Sequence, residues 1–360
     1  MTTKSLLVVG GTGQISASCV REAVADGIAV TVLNRGTTHL RRLPDDVETI
    51  TVDIRDADAV ERALGDRRFD SVADFLTFTV DQVRTAIRLF GGRSDQYVFI
   101  SSATAYQKPP THLPIGEGTP LFNPFSPYAR DKIACERLLR DEHAAGRIRV
   151  TVVRPSQTYD RTRVPLLGGW TTIDRMRRGR PIVLHGDGTS PWAITHADDF
   201  AKAFVSLLGA PEAIGEAFNI MSPELLTWNT IALDLADAAG VDAPSIVHRT
   251  THELVAEAPG WDAQLRGDRS HAAVFDTTKI RTLAPDWVAR IPFAEGARQI
   301  VRWHDADASR RVVDPEVDAL YDRLTVGWSP VAAPRSVPLL SPTGHRVSPE
   351  VPTVPGGRST

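Results

Sequence analysis

The chain has 360 residues, 42% of them hydrophobic and 24% charged, an ordinary globular composition with room for one large domain or two modest ones. A net charge of −3 supplies no global positive field toward nucleic acid or acidic membranes, and no stretch approaches an apolar membrane span. Cys19 and Cys135 stand far apart and in no metal-type spacing, so they read as reduced thiols of a cytoplasmic protein; the N-terminus runs into "SLLVVGGTG" with no room for a signal peptide.

The first half alternates short β-rich runs with helical patterns. "LLVVG" (Leu6–Gly10), "AVTVLN" (Ala29–Asn34), "ETITVD" (Glu48–Asp53), "FDSVADF" (Phe69–Phe75), "QYVFISS" (Gln96–Ser102) and "IRVTVVRP" (Ile148–Pro155) are predicted strands. Helical patterns such as Ser16–Asp26 and Asp56–Leu64 fall between them, which implies βαβ units and a parallel sheet. After Pro155 the rhythm breaks into helices, short strands and long loops up to about Trp328. Residues 329–360 are rich in Pro, Ser and Gly with no periodic apolar face, and are predicted to form an extended tail. The expected organisation is a dinucleotide-binding part over 1–165, to which later segments return, and a mainly substrate-binding part over 166–328.

"LLVVGGTGQISASCVREAVADG" carries the strongest single signal. A buried strand ends at Gly10-Gly11-Thr12-Gly13, and an amphipathic helix begins after Gln14 and Ile15. Glycines let the backbone turn tightly and approach a pyrophosphate, which the helix N-terminus then meets with amide donors. The pattern is G-x-x-G-x-x-S, with Ser16 where a third glycine usually permits close helix–sheet packing. The second strand ends in Asn34 and Arg35 rather than in an acidic residue. Asn34 can bond an adenosine ribose hydroxyl, while Arg35 can pair with a 2′-phosphate or remain a solvated turn residue, so NAD and NADP both stay open. After the third strand, Asp53 and the Ile54 amide can meet the adenine edge, or Asp53 can cap the next helix.

These features recur in a fixed order with "YVFISSATAY", "SPYARDK", "VVRPSQTYD", "GDGTSPWAITHADD" and "GDRSHAAVFDTTKI". In this the chain resembles the extended short-chain dehydrogenase/reductase family, of the NAD-dependent epimerase/dehydratase type, over roughly Leu6 to Trp287. The resemblance implies an α/β fold: a Rossmann-like doubly wound parallel sheet with a smaller C-terminal α/β substrate domain. It implies Tyr128 as the catalytic acid/base, Lys132 as its partner, and Ser102 as the hydroxyl that bonds the reacting oxygen. It also places Phe75, Leu76 and Pro155 beside the cofactor, and implies a homodimer. A free tyrosine is a poor base at pH 7, and a nearby ammonium favours its phenolate.

Two departures bear on the reaction. Relatives that dehydrate nucleotide sugars carry acidic residues after the Ser/Thr position, where this chain has Ala103 and Thr104. Trp192 stands where nucleotide-sugar enzymes usually have an arginine; an indole stacks on a base or sugar face but pairs with no phosphate, and it can equally belong to the core. Arg266 in "LRGDRSH" is the remaining candidate for a phosphate contact, Gln157 and Thr104 are the other expected substrate contacts, and "RMRRGR" (175–180) reads as a solvated helix face. No histidine shows a metal-ligand spacing. The function expected is transient oxidation of a secondary hydroxyl of a sugar, sugar nucleotide or nucleoside by NAD or NADP, followed by epimerisation or water loss and hydride return. A simple NAD(P)-dependent dehydrogenase or reductase is the alternative. A third reading comes from "GDRSHAAVFDTTKI", which also resembles a branch that includes chloroplast stem-loop RNA-binding proteins: an RNA-binding or regulatory protein with a vestigial site. The acidic net charge and the intact Tyr–Lys pair argue against it.

Overall fold

The computed structural model describes residues 4–37 and 40–327, so the expected 329–360 tail lies outside the described residues. Strand β1 (Ser5–Val9) sets the architecture. Leu6, Leu7, Val8 and Val9 are all fully buried, the continuous apolar run of a parallel strand covered on both faces. Its side chains alternate. Leu6 and Val8 join Cys19 and Val20 of helix α1 (Ser16–Ala25) and Phe200 and Phe204 of the helix Ala197–Ser206. Leu7 and Val9 face the other way, toward Val60, Val83 and Leu139 of α2 (Ala57–Leu64), α3 (Val80–Phe90) and α4 (Pro127–Ala144).

Around β1 lie β2 (Ala29–Asn34), β3 (Glu48–Thr51), β4 (Phe69–Asp74), β5 (Ser94–Ile100) and β6 (Val150–Pro155), joined by the strand Ala217–Ile220. The sheet runs Ala217–Ile220, β6, β5, β4, β1, β2, β3, with every pairing parallel. The order reverses between β1 and β4, which opens a crevice at the carboxyl ends of these strands, where doubly wound folds bind ligands. The predicted Rossmann-like α/β fold is therefore present.

The described residues through Val326 belong to one compact unit, yet the segment after β6 builds its own apolar cluster. Tyr159, Trp170, Trp192, Trp228, Phe293 and Tyr321 fill it. Three two-stranded pairs frame this region: 157–159 with 194–196, 182–185 with 246–249, and 191–192 with 226–227. Among the described residues, no helix is long and apolar enough to cross a membrane.

Candidate active site

Gly10 sits at φ +87°, and a Cβ there would come within 2.5 Å of the Leu76 side chain. Only glycine fits that turn. Ser16, in place of the third glycine, becomes a staple: its hydroxyl donates to the Gly10 carbonyl at 2.6 Å and accepts from the Gly13 amide at 2.8 Å. The loop thus presents bare backbone to a cleft of about 410 Å³ lined by Gly10, Thr12, Gly13, Asn34, Arg35, Asp53, Ile54 and Leu76. This glycine cradle at a helix N-terminus, opening into a long cleft, fits a dinucleotide.

Four other residues expected at the cofactor are outside that lining. Gln14 donates to the Thr158 carbonyl at 2.7 Å, and Ile15 and Phe75 pack into the core, where Phe75 meets Phe204 at 5.7 Å between ring centroids. Pro155 ends β6 opposite Ile220. Asn34 spends its side-chain oxygen on its own turn, accepting from the Gly36 amide at 2.8 Å. Asp53 is clamped by Arg55, which holds its carboxyl down to about 2. Arg35 is exposed at the rim and forms no ion pair among the described residues.

Tyr128 and Lys132 lie one turn apart near the start of α4, which Ser126 caps by accepting from the Ala129 amide at 3.2 Å, with Pro127 in the first turn. Lys132 is 1% exposed. Its ammonium donates to the Thr77 and Ile100 carbonyls at 2.6 and 2.7 Å and lies 4.5 and 4.6 Å from the ring centroids of Phe78 and Phe99. Burial with no adjacent carboxylate pulls its pKa down to about 8. Asp74, at the end of β4, shapes this pocket: it accepts from the Leu76 and Thr77 amides, the Thr77 hydroxyl and the Tyr97 phenol. The Tyr128 phenol is pushed up by burial and by Asp268, while Ser102 acts in the opposite sense. Ser102 has left the predicted strand, since β5 ends at Ile100, and caps the turn Ala103–Ala105.

Ser102 and Tyr128 open into a second cavity of about 360 Å³, which Thr104, Gln157 and Trp192 also line. Trp192 is both wall and core: it is 2% exposed, donates to the Gln157 side chain at 2.9 Å and packs 4.8 Å from Trp228. Arg266 is elsewhere, exposed and paired with Asp262. The reason is a π-helical turn over Leu265–Arg269, which shifts the helical register and brings Asp268 and Arg269 to the cavity instead. Arg163 joins them. Sequence reasoning missed all three; the quoted "LRGDRSH" contained two of them, but an ordinary helical spacing gives no sign of the inserted residue. His196 and Asp199 do structural work, as expected: His196 caps the 197–206 helix and Asp199 accepts from the Arg290 and Ile291 amides.

A sequence model of the NAD dependent epimerase/dehydratase family matches residues 6–220. A 2′-dehydrokanamycin reductase of Streptomyces kanamyceticus is 29% identical over 300 residues, 80% of this chain and 81% of the relative. The chloroplast stem-loop binding protein of 41 kDa b from Arabidopsis thaliana is 28% identical over 263 residues, 70% of this chain and 67% of that protein. Among solved structures, the UDP-glucose 4-epimerase of Thermus thermophilus in complex with NAD superposes with a TM-score of 0.65 at 24% identity, over 83% of this chain and 98% of the other. At that identity the likeness concerns the fold alone.

Proposed function

The chain belongs to the NAD-dependent epimerase/dehydratase family, and from that premise we propose that it interconverts a secondary hydroxyl and a ketone on a sugar-type substrate. The observation that carries the reading is the junction of the two clefts. Phe78 lines the nucleotide cleft and packs against Tyr128 at 6.3 Å, while Tyr128 and Ser102 line the substrate cavity. NAD or NADP, when bound along Gly10, Thr12 and Gly13, supplies the acceptor or donor of hydride. Everything else falls to the protein. Ser102 bonds and orients the substrate oxygen, and Tyr128 removes its proton in oxidation or returns one in reduction. Lys132 holds a positive charge behind the phenol and favours phenolate. Arg163 and Arg269 supply the positive charge that position 192 lacks, which supports an anionic substituent such as the phosphate of a sugar nucleotide.

Net oxidation or reduction is favoured over elimination. Asp268 is the one carboxylate among the described lining residues, and Ala103 and Thr104 fill the positions from which acidic side chains would act on a leaving hydroxyl. The full-length match to a reductase supports the same choice. Epimerisation, which requires only Tyr128, Lys132 and Ser102, is the second reading. Gel filtration separates them: a dehydrogenase releases its cofactor, whereas a redox-neutral enzyme retains NAD. The test of the common step is Tyr128→Phe, assayed by absorbance at about 340 nm with both cofactors against sugars, sugar nucleotides and nucleosides. Turnover should fall below about a hundredth of wild type with the cofactor dissociation constant unchanged. A variant that keeps more than about a tenth of the rate removes Tyr128 from the chemistry.

A further inference from the structure

Thr104 hydrogen-bonds Asp268, 164 residues away, with 3.0 Å between its Oγ1 and the carboxylate Oδ2. A carboxylate oxygen can only accept, so the single hydroxyl proton of Thr104 is committed to that bond. Thr104 Oγ1 also lies 3.1 Å from Ser102 Oγ. With its proton already committed, Thr104 must accept there, and Ser102 must donate. Ser102 then has no proton left for Tyr128, its other hydrogen-bonding neighbour, and accepts from the phenol. Every hydroxyl in the chain Tyr128, Ser102, Thr104 therefore points the same way, toward Asp268.

The arrangement is braced at each end. Asn123, 1% exposed, donates to the Thr104 carbonyl at 2.8 Å and to the Gly267 carbonyl at 2.7 Å, which ties the two segments together beside the contact. Gly267 itself lies so close to Ser126 that a Cβ would come within 2.9 Å of the serine Cβ, so the π-helical turn packs onto the cap of the helix that carries Tyr128. Lys108, buried and otherwise without a hydrogen-bond partner, places its ammonium 3.3 Å from the second carboxylate oxygen. Arg269 and His271 are the other titratable groups facing Asp268. The Asp268 side chain keeps 28% of its surface open.

We propose that Asp268 is the outer end of a proton relay that connects Tyr128 to the solvent of the cavity through Ser102 and Thr104. The proposal rests on Tyr128 being the proton donor in ketone reduction. In that direction the substrate carbonyl carbon gains the hydride supplied by the cofactor, and the carbonyl oxygen gains the phenol proton, which leaves phenolate. Asp268, protonated from solvent, donates to Thr104 Oγ1; Thr104 passes its own proton to Ser102 Oγ, and Ser102 passes its own to the phenolate. Three O–H bonds break, three form, and all the hydroxyls reverse direction. Phenol and carboxylate are restored after Asp268 takes its next proton from water. Oxidation runs the same path outward. A redox-neutral enzyme has no use for such a path, because Tyr128 then gives back the proton that it took.

The test has two readouts. The first requires no substrate. The Tyr128 phenolate is titrated by ultraviolet difference absorbance in the full chain with saturating NAD+, each protein measured against the same protein carrying Tyr128→Phe. Asp268→Asn and Thr104→Val both free Ser102 to donate to the phenolate, so each should lower the midpoint by more than about half a pH unit, and Thr104→Ser should restore it. Midpoints unmoved by both changes overturn the chain. The second readout uses whichever secondary alcohol or ketone the wild type turns over. Asp268→Asn should lower kcat at least about tenfold, with KM within about threefold and the pH profile of kcat displaced, because a proton-transfer path is lost and binding is not. Wild-type turnover with an unmoved profile in the variant overturns the relay and leaves Asp268 a structural tie. Absence of hydride transfer in the wild type overturns the broader reading, while the titration still decides whether Asp268 and Tyr128 share a chain.

Discussion

Lys132 is the residue at which the cost of the site is concentrated. An ammonium between two aromatic faces, with two carbonyls and no carboxylate beside it, is less stable than one in water, and its pKa falls from the ordinary 10.5 to about 8. Between these values the unfolded chain holds a proton that the folded chain has lost, so unfolding takes up a proton and stability rises with pH. The gap corresponds to about 3 kcal/mol. Lys132→Met removes this linkage together with two hydrogen bonds, and only the linkage depends on pH. The stability difference between wild type and variant in urea should therefore shift in favour of the wild type by up to about 3 kcal/mol between about pH 7.5 and 10.5. A constant difference would mean that Lys132 titrates as a free lysine. Arg35 supports a second prediction. It is the cleft-rim cation that forms no ion pair among the described residues, whereas Arg41 is held by Asp160 at 2.6 Å and Arg55 by Asp53 at 2.5 Å. Arg35→Asp should shift preference from NADP toward NAD at least about tenfold in the ratio of dissociation constants, by removing a phosphate partner and adding a repulsive charge. An unaltered ratio would place Arg35 away from the 2′ position.

At the level of elements, α4 carries the chemistry and is fastened to the sheet by polar groups as well as by packing. One turn beyond Lys132, Glu136 is 7% exposed and pairs with Arg154 of β6 at 2.6 Å, while Ser101 donates to it from the end of β5. Arg154 in turn bonds the Tyr106 phenol at 3.0 Å, and Tyr106 donates to Asn219 at 2.7 Å. A buried pair broken on one side leaves an uncompensated charge, so Glu136→Gln should destabilise the protein by about 3 kcal/mol in chemical denaturation. Glu136→Leu with Arg154→Leu should recover much of that loss, because both charges go together; a double variant as unstable as the single would refute the account. This network also shows what the sequence could and could not reveal. Strands such as Leu6–Gly10 were legible because they are buried on both faces, and Tyr128 and Lys132 were legible because a helix makes neighbours of residues four apart. Asp268, Lys108 and Arg163 reach the site from distant segments, and the π-helical turn that exchanges Arg266 for Arg269 leaves no mark in a pattern read at 3.6 residues per turn. Trp192 was read as stacking surface or core, and its placement satisfies both descriptions.

Over the whole molecule, the question is whether so many arginines make a surface for nucleic acid, as the likeness to a stem-loop binding protein raises. The most basic run, 175–180, answers for its own region. Arg175 is fully buried and binds Asp318 at 2.5 Å and Asp322 at 3.0 Å. Arg177 holds Asp305 at 2.7 Å, Arg178 holds Asp174 at 2.6 Å, and Arg180 pairs with Asp322. What reads as a solvated cationic face is thus a neutralised network that ties the helix Trp170–Arg177 to the helices Phe293–Asp305 and Pro315–Leu324. Other arginines behave alike, as in Arg67 with Glu48 and Arg323 with Glu257. A protein that neutralises phosphates releases counterions, so its affinity for a single strand falls with salt at a slope of about −0.7 per phosphate contacted. Six contacts would give a slope of about −4 on logarithmic axes. With its cations committed to its own carboxylates and a net charge of −3, this chain should show no retarded band with a stem-loop RNA at about 10 μM protein in 0.1 M salt. The measurement is an electrophoretic shift repeated from about 0.05 to 0.3 M salt. A retarded band whose affinity falls with a slope steeper than about −3 would reinstate RNA binding and would make the Tyr128 site one of two functions of the chain.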